Sequence, residues 1–241
     1  MVTQYTFWIA LLCFAAGFVY FLMERSSVEE EYRSTATIAA IICLIAGANY
    51  FAMRGMVGMD GTVASILNFP TEFRYLDWLI TTPLILVKFP NLLGGGDDQK
   101  QTLVTLVFAD VVMIVTGFVG ELAINEGNKT LGFWMFLAGM IAWIFIIYIL
   151  FAVVSTAADR KIEPIRVAIN QLKYFILIGW AVYPVGYFMA FFGAGEEGQI
   201  LRELLYNVAD VVNKVGFGIV ALLAVRSISK ESAIRRAIAD L

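Results

Sequence analysis

The sequence predicts an all-α membrane protein: a bundle of seven transmembrane helices, with the N-terminus outside and the C-terminus in the cytoplasm. Three observations carry this expectation. Sixty per cent of the 241 residues are hydrophobic and only 15% are charged, the balance of a chain solvated largely by lipid. The apolar residues gather into seven runs of about 20, the length that crosses a bilayer core as a helix. The basic residues between the runs fall mostly on one side.

The runs follow in order. The first, near 4–23, has no basic stretch before it and is long enough to span, so it reads as a helix and not as a cleaved signal peptide. The second, near 35–55, follows the polar ERSSVEEEYR. The third, near 74–92, follows GMVGMDGTVASILNFPTEF, the longest connection, whose form the sequence leaves open. The fourth lies near 102–122 after NLLGGGDDQK, and the fifth near 131–155 after NEGNKT. The sixth lies near 167–192 after AADRKIEP, and the seventh near 201–226 after GAGEEGQ. No repeat or linker divides the chain, so residues 1–241 form one domain. Pro83 and Pro184 interrupt the third and sixth runs, as membrane helices tolerate.

Seven spans put the termini on opposite sides. With the N-terminus outside, the inner segments hold Arg25, Arg33, Lys100, Arg160, Lys161, Arg166, Lys173, Arg226, Lys230, Arg235 and Arg236. The outer ones hold Arg54, Lys129 and Arg202. Eleven against three sets the orientation, because basic residues collect on the cytoplasmic side. Arg74, Lys88 and Lys214 belong to the membrane region.

Composition also excludes. The chain has no histidine, which removes the commonest metal ligand and the usual neutral-pH base, and no metal site is expected. Cys13 and Cys43 lie in separate apolar runs and read as reduced packing residues. No basic tail points to nucleic acid. The expected surroundings are a lipid bilayer.

The chemistry concentrates in two helices. In the seventh, LLYNVADVVNKVGFGIVALLAV carries Lys214 four residues after Asp210, so amine and carboxylate share a face. An ionisable group at membrane depth costs roughly 2.5–3.5 kcal/mol or more and is a functional candidate by default. A lysine in apolar surroundings can lose its proton and form Schiff bases with carbonyl compounds. A covalent aldehyde cofactor with a carboxylate counter-ion is the chemistry this suggests. In the third, RYLDWLITTPLILVKFP sets Arg74, Asp77, Thr81 and Lys88 on one stripe. Asp77 and Lys88 are about 16 Å apart along the axis, which makes a line of titratable groups across the bilayer. The blander alternative is a set of residues that pair with neighbouring helices or reach to the interface.

RYLDWLITTP, ADVVMIVTGFVGEL, GWAVYPVGY and DVVNKVGFG resemble the microbial (type 1) rhodopsins over nearly the whole chain. The resemblance implies retinal, all-trans in the dark, bound to Lys214 as a protonated Schiff base. It makes Asp77 the counter-ion and proton acceptor, Asp210 the second counter-ion, Arg74 the arginine outside them and Thr81 the threonine beneath the acceptor. Trp78, Thr82, Met113, Gly117, Trp180, Tyr183 and Tyr187 match the retinal pocket, and Asp110 matches the partner of Thr82. Ile85 matches the colour-tuning position and, being apolar, implies green absorption. Phe136 fills the place that relatives with a carotenoid antenna leave to glycine, so no antenna is expected. Asp77, Thr81 and Lys88 resemble the bacterial proton pumps of the proteorhodopsin group, especially those typified by Exiguobacterium rhodopsin, where a lysine stands at the cytoplasmic donor position.

The chain departs from that group at Asn49, which stands where a histidine partners the acceptor. Asparagine hydrogen-bonds but carries no transferable proton. A second departure is Arg202, at one position of the outer glutamate pair of haloarchaeal pumps; Glu196, Glu197 and Glu203 nearby read as loop charges. The resemblance implies a light-driven outward proton pump in the plasma membrane of a prokaryote, not an enzyme, and a trimer or pentamer. A photosensor, an inward pump and a non-photochemical carrier stay open as alternatives.

Overall fold

A computed structural model of the protein describes residues 2–57, 63–94, 96–193 and 195–239. Positions 58–62 of the long connection and the Arg235 side chain, counted above toward the inner face, lie outside the described residues. Among the described residues all the regular structure is helical, because a backbone in hydrocarbon must satisfy every N–H and C=O internally.

Six long apolar helices run over Val2–Ser27, Glu30–Val57, Asp97–Asn125, Lys129–Ala158, Glu163–Phe192 and Gly195–Ile234. The seventh segment of the bundle, third in the chain, is shorter and broken: Arg74–Leu86, then Lys88–Leu92. The break at Val87 comes before Pro90, which lacks the N–H that would pair with the Leu86 carbonyl, and the charges of Arg74, Asp77 and Lys88 lower the segment's hydropathy. The connection before it contains a short helix, Val63–Leu67. The sequence runs mark the helices well but stop short of their ends. The fourth helix begins at Asp97 rather than 102, and the last continues to Ala239 rather than 226. Hydropathy ends at the charges, whereas the helix continues into the interface.

The first helix packs along the second and the fourth along the fifth, while the third lies against the second and fourth and the seventh touches the first and sixth. Small residues on the second helix (Ala36, Ala39, Ala40, Ala46) are buried against the bundle, beside Phe7, Phe14 and Phe21 of the first. Close approach through small residues is how helices associate without a hydrophobic drive between them. Large apolar side chains such as Leu12, Phe108 and Ile141 point outward. Gly193, with φ +66°, closes the sixth helix in the left-handed region, and Asn128 caps the fifth by accepting from the Leu131 N–H.

Three helices open into π turns: Ile149–Val154, Phe175–Gly179 and Val212–Gly216. Such turns release carbonyls from the helical ladder and are frequent at functional sites. Trp143 donates its indole N–H to the Ile176 carbonyl at 3.1 Å. Asn213 donates to the Gly179 carbonyl at 2.9 Å, tying the π turns of the sixth and seventh helices together. Lys173 is buried and donates to Ser155 Oγ at 2.9 Å, an interhelical contact.

Candidate functional site

Lys214 sits within the π turn of the seventh helix, 3% exposed. Its Nζ lies 2.5 Å from Asp77 Oδ2 and 3.0 Å from Asp210 Oδ1. The third and seventh helices thus bring together the two constellations that the sequence kept 137 residues apart. The two carboxylates differ. Asp210 accepts from Trp78 Nε1 at 3.0 Å and Tyr183 Oη at 2.8 Å on one oxygen, and from Tyr50 Oη at 2.8 Å on the other. Asp77 Oδ1 is buried with no hydrogen-bond partner among the described residues. Of the pair, Asp77 is the one with a free oxygen to take a proton.

Thr81 does not hold that oxygen. Its hydroxyl donates to the Asp77 backbone carbonyl at 2.9 Å, the back-bonding common for threonine in membrane helices. Asn49 is not brought to Asp77 either. It is half-buried on the second helix, and its amide lies 3.8 Å from Met53 Sδ. Its neighbour Tyr50 enters the site instead.

Lys214 closes one end of a cavity between the third to seventh helices. All the residues matched to the pocket line it: Trp78, Thr82 and Ile85 from the third helix, Met113 and Gly117 from the fourth, Phe136 from the fifth, and Trp180, Tyr183 and Tyr187 from the sixth. Tyr75, Ile114, Gly139, Met140, Trp143, Pro184 and Asn213 also line it; the sequence reading did not single out the first five or Asn213 as pocket residues. Their helical spacing from the named ones was the available signal. Phe136 stacks on Tyr187 with ring centroids 5.0 Å apart. Thr82 Oγ1 lies 2.8 Å from Asp110 Oδ2. The walls are aromatic and aliphatic, and the ionic groups gather at the lysine end. A long apolar aldehyde whose head joins an amine beside carboxylates fits this arrangement.

On the side of the lysine toward Thr71 and the start of the third helix lies a buried ionic ladder. Arg74 donates from Nε and Nη2 to Glu203 Oε2 at 3.1 and 2.8 Å, and its Nη1 is 3.6 Å from Asp210 Oδ2. Thr71 donates to Glu203 Oε1 at 2.6 Å. Arg202 donates from Nη1 to Glu121 Oε1 at 2.7 Å and from Nη2 to Thr71 Oγ1 at 2.6 Å, and its Nε is 3.4 Å from Glu203 Oε1. Glu203 is fully buried and Arg202 is 4% exposed. This corrects the expectation of loop charges: Glu203 is inside the bundle, and Glu196 and Glu197, though exposed, stand in the first turn of the seventh helix. The available signal was spacing: Glu203 precedes Asp210 by seven residues, two turns on the same face.

On the other side, Lys88 is 1% exposed and its Nζ has no hydrogen-bond partner among the described residues; it lies 5.5 Å from the Phe217 ring centroid. The side chain stays inside the bundle instead of reaching to the surface. Among the described residues no group of three acidic, cysteine or histidine side chains is arranged to hold a metal ion.

Comparison with known proteins agrees with this geometry. Residues 1–228 match the family described as bacteriorhodopsin-like protein. The green-light absorbing proteorhodopsin of Gamma-proteobacterium EBAC31A08 is 34% identical over 221 residues, covering 90% of this chain and 84% of that protein. Archaerhodopsin-2 of Halobacterium sp. (strain aus-2) is 34% identical over 226 residues, covering 90% and 83%. The crystal structure of Exiguobacterium sibiricum rhodopsin superposes with a TM-score of 0.90 at 51% identity, covering 95% of this chain and 97% of that one. These relatives and the apolar helices make it a multi-pass prokaryotic membrane protein. The chain belongs to the bacteriorhodopsin-like family, the type 1 microbial rhodopsins.

Proposed function

We propose that the protein is a light-driven outward proton pump that carries retinal, all-trans in the dark, on Lys214 as a protonated Schiff base. The observation that carries the reading is the Lys214 amine, set between Asp77 at 2.5 Å and Asp210 at 3.0 Å at the end of an aromatic cavity. Retinal, when bound, supplies light absorption and an isomerisation that changes the position and basicity of the nitrogen it is joined to.

The chain's own residues do the rest. Asp77, with a free oxygen, takes the proton from the Lys214 nitrogen. Asp210 stays a fixed negative charge, because four donors, from Trp78, Tyr183, Tyr50 and Lys214, saturate it. Arg74, between Asp210 and Glu203, couples that centre to the outer side. Lys88 returns a proton from the cytoplasm, and its burial without a partner supports a transfer role over a structural ion pair. Thr81 and Asn49 act from the edge of this centre. Ile85 supports green absorption, and Phe136, packed on Tyr187, supports the absence of a carotenoid antenna. The inner excess of basic residues supports an outside N-terminus. A trimer or pentamer is the expected assembly.

The test is the pH of a suspension of retinal-supplied cells expressing the chain. Light should acidify the medium, and a protonophore should abolish the change. Alkalinisation sensitive to the protonophore would replace the reading with inward transport. A coloured protein without any pH change would make it a photosensor, and no visible band would leave a non-photochemical carrier.

A further inference from the structure

One buried side chain beside Asp210 has no place in the function described so far. Asn207 of the seventh helix stands one turn before Asp210 and is 1% exposed. Its Oδ1 accepts from Arg74 Nη2 at 2.6 Å and lies 3.1 Å from Tyr50 Oη. Its Nδ2 donates to Thr6 Oγ1 of the first helix at 2.8 Å. Thr6 in turn donates to the Thr3 carbonyl at 2.6 Å. One amide thus joins the first, second, third and seventh helices.

The amide can face only one way. Arginine donates and never accepts, so the oxygen belongs on the Arg74 side. A hydroxyl has one hydrogen, and Thr6 gives its own to Thr3. Toward Asn207 it presents a lone pair, so the NH2 belongs there. Reversing the amide would set donor against donor at Arg74 and acceptor against acceptor at Thr6, leaving buried polar atoms unpaired. The same orientation settles Tyr50. Its hydroxyl accepts from Arg74 Nη1 at 2.9 Å, and its one hydrogen has two acceptors in reach, Asn207 Oδ1 at 3.1 Å and Asp210 Oδ2 at 2.8 Å. Asn207 Oδ1 already serves Arg74, and a carboxylate holds a hydrogen bond more strongly than an amide, so the hydrogen goes to Asp210. Arg74 is pulled from two sides. Nε and Nη2 donate to Glu203 at 3.1 and 2.8 Å, while Nη1 lies 3.6 Å from Asp210. The Asn207 oxygen, one turn from Asp210, opposes the draw of Glu203.

We propose that Asn207, oriented by Thr6, is a positioning residue: it holds the Arg74 cation beside Asp210 and so sets how much negative charge Asp210 presents to the Lys214 nitrogen. The first helix, which contributes nothing to the cavity lining, thereby acts on the colour of the pigment through one hydroxyl. The proposal rests on the reading that Lys214 carries retinal, and it is indifferent to the direction of transport. No covalent bond changes. Without the Asn207 oxygen, Arg74 moves toward Glu203, and less positive charge offsets Asp210.

The test is the visible spectrum of the retinal-loaded full chain in lipid vesicles, read beside its thermal stability. Asn207→Leu keeps the bulk and removes the acceptor. It should shift the absorption to the blue, because a stronger negative charge then faces the protonated nitrogen. Thr6→Val should shift it the same way by less, and Thr6→Ser, which keeps the hydroxyl, should keep the parent colour. Since Thr6 acts only through Asn207, Thr6→Val should add nothing in the Asn207→Leu background. Lost stability at unchanged colour would make Asn207 plain packing. A red shift, or a Thr6→Val shift that adds to that of Asn207→Leu, would break the sequence of contacts. Each of these overturns the proposal while the retinal reading stands. Should Asn207→Leu form no pigment, Thr6→Val against Thr6→Ser decides, and equal colours overturn the proposal. A parent without a visible band overturns the retinal reading instead. The placing of Arg74 is then read in the chain without retinal, from the slowly exchanging side-chain nitrogen resonances of the buried Arg74 and Arg202. Asn207→Leu and Thr6→Val should both move the Arg74 signals; signals unchanged in both variants overturn the proposal.

Discussion

Gly179→Ala tests whether the junction of the sixth and seventh helices positions Lys214. A Cβ on Gly179 would stand 1.9 Å from Asn213 Oδ1, where ordinary contact begins near 3.4 Å. Asn213 would have to retreat by about 1.5 Å. That retreat breaks its 2.9 Å hydrogen bond to the Gly179 carbonyl. Overpacking costs about 1–3 kcal/mol, and a buried polar group left unpaired about 1–3 kcal/mol more. Alanine in a helix returns roughly 0.5–1 kcal/mol relative to glycine. The expected net loss is therefore about 1–5 kcal/mol. Because Asn213 precedes Lys214 on the same π turn, the colour should also shift. The assay is denaturation of the pigment in detergent, followed by its visible band, in a double-mutant cycle. Asn213→Ala alone should cost about 1–3 kcal/mol, for the carbonyl it leaves unpaired. The double variant should cost no more than Asn213→Ala, since the clashing amide is gone. Additive losses, or a single Gly179→Ala variant as stable and coloured as the parent, would refute this account of the junction.

Lys214→Ala should give a colourless, inactive protein after retinal is added; a stable visible band without an added amine would remove Lys214 as the attachment site. Asp77→Asn takes away the nearer of the two negative charges, at 2.5 Å, and should shift the absorption to the red and stop outward pumping, which a spectrum and a cell-suspension pH trace check together. Lys88→Ala should slow recovery after a flash and make it more dependent on outside protons, so that the rate falls as pH rises; recovery at the parent rate across that range would leave Lys88 as packing. Asn49→His should introduce a titratable group beside Tyr50, which donates to Asp210, and so move the pH of the colour change; a titration overlaying the parent would exclude a role for that position.

Much of this protein is legible from residue order, because lipid imposes a simple rule. A helix that must span hydrocarbon is written as about 20 apolar residues, so six of the helices stand out at once. The third is legible from its stripe of Arg74, Asp77, Thr81 and Lys88, since charges at that depth require a purpose. The i,i+4 pair of Asp210 and Lys214 is local, and local geometry follows from helical period alone. What the order of residues leaves undecided depends on contacts between helices. Glu203 and Arg202 read as separate polar residues near an outer edge, and Glu121 is not singled out within the fourth run; packing joins them into one ladder with Arg74. The same holds for the two aspartates. Both lie beside Lys214, and only the donors from Tyr50, Trp78 and Tyr183 saturate one and leave the other with a free oxygen. Asn49 and Tyr50 are adjacent in sequence, yet the helix turns one toward Met53 and the other into the site. Hydrophobic period and helical spacing are properties of a single segment, and the sequence states them directly. Hydrogen-bond saturation and charge balance belong to the assembled bundle, because each depends on donors and cations from helices far apart in the chain.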